Sequence, residues 1–138
     1  MIFCVNMLFE PRVGEGSAGE FGSQSVIVSL DVRKYNSGEY SVYVLAKKQR
    51  INTAIEPLIE RFIEYGAGEI LITSIDREGT LQEFDNDLFR EIGNAVAVHL
   101  IFSGGAGSYD DMVWFFKETG CNACAVSKML FLRDCNIV

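Results

Sequence analysis

Basic residues are scarce in this chain of 138 residues. Twelve lysines and arginines stand against 19 aspartates and glutamates, for a formal charge of −7, and no basic run exceeds a few residues. Nucleic acids and anionic membranes are held by clustered positive charge, so neither is an expected partner. Long apolar runs are missing as well, none approaching the roughly 20 residues that span a bilayer. The opening stretch MIFCVNMLFEPR carries neither a basic segment nor a small-residue cleavage site, and a soluble, cytoplasmic protein is expected.

Cysteine and histidine are few: Cys4, Cys121, Cys124, Cys135 and the single His99. With 49% hydrophobic residues the chain does not resemble a small secreted scaffold that compensates for a thin core with disulfides, and the thiols are read as reduced. Cys121 and Cys124 form a CxxC, which serves redox chemistry or half of a metal site. No second pair accompanies it, and the reading preferred is of small residues entering a buried strand. Neither a metal nor a cofactor is expected.

What is present is an alternation of strand-like and helix-like segments in a length that suits one domain. Ser25 to Val32 is apolar and β-branched, and a turn at Asn36, Ser37 and Gly38 separates it from a second alternating run. Ile55, Leu58, Ile59, Phe62 and Ile63 recur at helical spacing, with Thr53 as the expected cap and Gly66 as the stop. Ile70 to Ile72 reads as a strand. Leu88, Phe89, Ile92 and Val96 form a helical stripe with Asp85 as its cap. Val98 to Phe102 is a third buried strand, Ser108 and Asp111 open a helix carrying Met112, Phe115 and Phe116, and Ala123 to Ser127 is a further strand. Trp114 and the two phenylalanines after it are read as core, and His99 as structural. The Gly-rich segment EPRVGEGSAGEFG, 10 to 22, is left between a weak helix and a loop, with MIFCV before it as a short strand. Apolar strands alternating with helices predict a parallel sheet with helices packed outside.

Two loops at the same end of this sheet carry chemistry. SGGAG, 103 to 107, lies between a strand and a helix start, where unhindered backbone N–H groups cradle a phosphate. DREGT, 76 to 80, ends the neighbouring strand, and adjacent loops donating to one anion form the phosphate sites of (βα)8 barrels. Asp31 ends its own strand at that face, placed either as a general acid or base or as the partner of the next turn or of Arg33. Glu69 sits at the opposite, amino end of its strand.

At FGSQSVIVSLDV (21–32), GAGEILITSIDREGT (66–80) and SGGAGS (103–108), taken in order, the chain resembles the cyclase subunit of imidazole glycerol phosphate synthase. It is similar also to that subunit's relatives in bacterial surface-sugar clusters. The likeness runs from about Phe21 to about Phe131. It implies a (βα)8 barrel that closes an imidazole ring with ammonia passed through the barrel from a glutaminase partner, using one aspartate on the first strand and one on the fifth. Carried over, Asp31 matches the fifth-strand aspartate and Asn6 a residue near the first phosphate site. Thr73, Gly79, Gly104 and Gly105 would line the second phosphate site, and Glu69 the ammonia entrance. Two positions depart: Glu78 stands for an aspartate in the sixth-strand loop, and Lys128 for a small serine after strand eight. That lysine would hold the phosphate or fill its site.

Such a barrel takes about 250 residues. The resemblance therefore implies half of a TIM (βα)8 barrel, with four to five parallel strands and outer helices in one domain, and without the first-strand aspartate. Open edges and an apolar inner face need a cover. A homodimer approximating a barrel is expected, or else pairing with a complementary half-barrel chain, with a glutaminase subunit as a further partner of the active form. The ligand class is a phosphate-bearing small molecule.

Overall fold

The computed structural model describes residues 2–4, 12–93 and 97–132. In chain order it forms strand β1 (Ile2–Cys4), helix α1 (Arg12–Phe21), β2 (Ile27–Lys34), β3 (Tyr40–Val44), β4 (Gln49–Arg50), α2 (Ile55–Glu64) and β5 (Glu69–Ser74). There follow α3 (Asn86–Ile92), β6 (His99–Ser103), α4 (Tyr109–Thr119), β7 (Ala123–Ala125) and α5 (Lys128–Leu132). The segment left open between weak helix and loop is thus the helix α1.

Five strands run parallel in the order β1, β2, β5, β6, β7, while β3 and β4 form an antiparallel excursion on the far half of β2. The strand expected at the start therefore does join the sheet, with Ile2 opposite Ile27. Helices connect successive parallel strands, as crossover connections require.

Alternation along the strands sorts the two faces. Val28, Leu30 and Val32 of β2, Ile70 and Ile72 of β5, and Leu100 and Phe102 of β6 are all buried. They pack with Leu58, Ile59 and Phe62 of α2, Leu88, Phe89 and Ile92 of α3 and Phe115 of α4. Each such side chain contributes about 2 kcal/mol of apolar burial. Phe115 is the hub, its ring 4.5 Å from that of Phe84 and 5.5 Å from that of Phe89. The opposite face, with Ile27, Ser29, Asp31, Glu69, Leu71, Thr73, Ile101 and Ser103, is only half-buried. The strands are therefore covered on one face rather than on both, and this second face corresponds to the interior of a closed barrel.

Helix α2 starts after Ala54 without a side-chain cap, so Thr53 does not cap it. Pro57 explains the shift. With Thr53 as cap, Pro57 would owe an N–H to the Thr53 carbonyl; one residue later it falls within the first turn, where that donor has no partner to lose. The stop is as expected: Gly66 N–H donates to Ile63 O and Ala67 N–H to Phe62 O, both at 2.9 Å. Asp85 caps α3 by accepting from Leu88 N, and Ser108 caps α4 by accepting from Asp111 N. Trp114 is 43% exposed. Met112, Phe115 and Phe116 define the buried stripe of α4, and Trp114 lies about 100° around the helix from Phe115, outside that stripe.

Candidate functional site at the carboxyl ends of the strands

Strand register brings the ends of four strands into one row. Asp31 pairs with Thr73, Thr73 with Ser103 and Ser103 with Ala125. Adjacent strands lie about 4.8 Å apart, so these side chains stand side by side on the half-buried face. The Asp31 carboxylate has no hydrogen-bond or ion-pair partner among the described residues. Arg33 pairs instead with Asp76, at 3.6 Å. Burial pushes the Asp31 carboxyl above its ordinary range, which suits a group that holds and returns a proton.

Beyond the row, the loops after β5, β6 and β7 converge on a cleft lined by Glu78, Gly79, Ser103, Gly104, Gly105 and Lys128. Gly79 has φ 74°, and a Cβ there would lie 1.9 Å from Lys128 Nζ. The lysine is thus laid over the glycine, within the cradle. The N–H groups of Gly79, Gly104 and Gly105 donate to no backbone oxygen in the turns and loops among the described residues. That leaves them free to face an anion.

The glycines also hold the two main loops together. A Cβ on Gly105 would sit 2.0 Å from the carbonyl oxygen of Glu83, and one on Gly107 would sit 2.3 Å from that of Leu81. Leu81 and Glu83 have left-handed φ values of 59° and 79°, at the two points where the glycines approach their carbonyls. Gly107 N–H is itself bound by Asp111 Oδ2 at 2.8 Å. Beneath the loop, the buried carboxylate of Asp85 accepts from Tyr40 Oη at 2.7 Å, Ser74 Oγ at 2.9 Å and Leu88 N at 3.2 Å. One side chain therefore ties the β3 excursion, β5 and α3 together. Burial and the adjacent carboxylate push the Tyr40 phenol well above its ordinary value.

Of the residues singled out in the sequence, Gly79, Gly104, Gly105 and Lys128 meet in this cleft. Thr73 does not line it; its place is beside Asp31 in the row. Glu69 lies at the other end of the sheet, in register with Ile27 and with His99. His99 is exposed there rather than packed. Asn6 falls outside the described residues. Ser103, the first residue of the SGGAG motif, ends β6 in step with Asp31 and Thr73 and lines the cleft as well. Burial raises the pKa of both Cys121 and Cys124, and a thiol so shifted is a poor nucleophile and a poor metal ligand. Among the described residues no three His, Cys, Asp or Glu side chains converge as metal ligands. No helix there is long and apolar enough to cross a membrane.

Five parallel strands, described helices packed on one face and polar groups gathered at the strands' carboxyl ends define half of a (βα)8 barrel. Residues 3–136 match the family described as histidine biosynthesis protein, and the chain belongs to that family. It is 35% identical over 127 residues to the imidazole glycerol phosphate synthase subunit HisF of Alkaliphilus metalliredigens, covering 92% of this chain and 50% of the relative. The subunit of the same name from Bacillus cereus strain Q1 is 36% identical over 129 residues, with 92% and 50% covered. That from Prochlorococcus marinus is 42% identical over 124 residues, with 87% and 48% covered. The chain spans about half the length of these relatives.

Proposed function

We propose that the chain is a phosphate-binding half-barrel of the cyclase lineage. It holds a phosphorylated small molecule between the loops after β5, β6 and β7, and by itself has residual or no cyclase activity. The observation that carries this reading is the convergence of Gly79, Gly104, Gly105 and Lys128 on one cleft. Three loops contribute backbone donors or positive charge there, and no described carboxylate lies within 4 Å of the lysine. Thr73 and Asp31 lie just inside, where the rest of a ligand would extend. Inorganic phosphate at millimolar concentration is expected to raise the melting temperature through linkage, while chloride at equal ionic strength is not. Failure of phosphate to shift the transition would defeat the proposal.

The half-buried inner face and Phe131, 85% exposed, support assembly with a cover, and a twofold homodimer is the simplest form of it. Strand arithmetic favours a second reading. Five parallel strands need three more to close an eight-stranded barrel, whereas two copies bring ten. A complementary chain carrying the remaining strands would restore an active cyclase of the kind its relatives are named for. In that form Asp31 is one of the acid–base pair and Glu69 lines the ammonia entrance, with a glutaminase docked at that end. Asp31→Asn would then abolish ammonia-dependent ring closure and leave phosphate binding intact. Absence of turnover when the unmutated chain is supplied with the first half of a relative's barrel would exclude this second reading.

A further inference from the structure

The inference rests on the phosphate reading of the cleft and concerns the one lining residue that departs from the family pattern. About 10 Å³ of free space remains in the cleft, room for about one water molecule. A phosphate group of five heavy atoms does not fit in it. Two of the walls are packed backbone: Gly104 and Gly105 lie so close to the backbone of Ser74 and Glu83 that neither position has room for a Cβ. Lys128 is the wall that can move. It is exposed, its flexible four-carbon stem rotates freely, and its ammonium lies against Gly79. That ammonium has no carboxylate within 4 Å among the described residues, although Glu78 lines the same cleft.

We propose that Lys128 is a displaceable plug that becomes a ligand. Its side chain fills the cradle in the free protein. An incoming phosphate takes the place over Gly79, and the lysine swings aside with its ammonium paired to a phosphate oxygen. The site then selects doubly charged monoesters or inorganic phosphate over diesters, because only a terminal group both fits the vacated cradle and repays the loss of the lysine's contacts there.

Bulk and charge are separated by two variants. Lys128→Met keeps the stem and removes the charge. Lys128→Ala removes both and leaves the backbone donors open. Calorimetric titration with inorganic phosphate at fixed low ionic strength is expected to give weaker binding by about tenfold for Lys128→Ala and by about 100-fold for Lys128→Met. Lys128 is exposed, and far-UV circular dichroism would confirm that both variants fold. Equal affinities in the two variants would overturn the plug, and binding by Lys128→Met as tight as by the unmutated chain would overturn the ligand role. Equal affinity in all three proteins would overturn the inference and leave the phosphate reading standing. Binding by none of the three would overturn the phosphate reading itself, and the inference with it.

Discussion

Asp85 is 6% exposed and carries no described cationic partner, yet it accepts three hydrogen bonds from three elements. Truncation to alanine would remove a helix cap and strand two buried hydroxyls, so Asp85→Ala is expected to cost about 3 kcal/mol in urea denaturation. Asp85→Asn, which keeps one acceptor, should cost about 1 kcal/mol. Asp31 behaves in the opposite sense. Its raised pKa means that the folded state holds the proton to higher pH than the unfolded chain. Stability therefore falls as pH rises from the ordinary value of 3.8 through the raised one. Asp31→Asn should melt higher than the unmutated protein at pH 7, and the difference should vanish below about pH 3.8. Gly104 illustrates what pattern alone conceals. Its Cβ would lie 2.6 Å from the Ser74 carbonyl oxygen, so a larger residue there breaks loop packing before it meets any ligand. The loop pattern suggested only the ligand role proposed above; the three-dimensional contact adds a packing role.

Among the elements, those with strong periodicity and a chemically plain boundary were legible. β5 and the caps Asp85 and Ser108 lie where hydrophobic alternation and capping chemistry place them. The failures have local causes. Thr53 lost its capping role to Pro57, whose missing N–H fixes where the helix begins. Trp114 was drawn towards the core by two neighbouring phenylalanines, although its angle around α4 points elsewhere. Helix α1 was the least legible, since glycine disfavours helix by about 1 kcal/mol relative to alanine. A Cβ on Gly16 or Gly19 would meet nothing within 4 Å, and neither glycine has positive φ. Gly16→Ala and Gly19→Ala should therefore each stabilise the protein by about 0.5–1 kcal/mol, read from denaturation midpoints at unchanged slope.

For the molecule as a whole, one sheet face is sealed by helices and the other, carrying Asp31, Thr73 and Ser103, is half-open. Repeat order announced a parallel sheet with outer helices, and the family resemblance implied that it is half of a barrel. What they left open was whether four or five strands run parallel, because β1 is three residues long and so short a run does not show from its pattern whether it joins the sheet. Nor does periodicity tell which strand face the helices leave open. The proposal that a second copy of the chain covers the open face of a ligand-binding half-barrel is put to the test by light scattering at micromolar concentration, with and without a bisphosphate. The expected result is a particle larger than one 15.4 kDa chain, tightened in its size distribution by the ligand. A monodisperse monomer, unchanged by the bisphosphate, would contradict it.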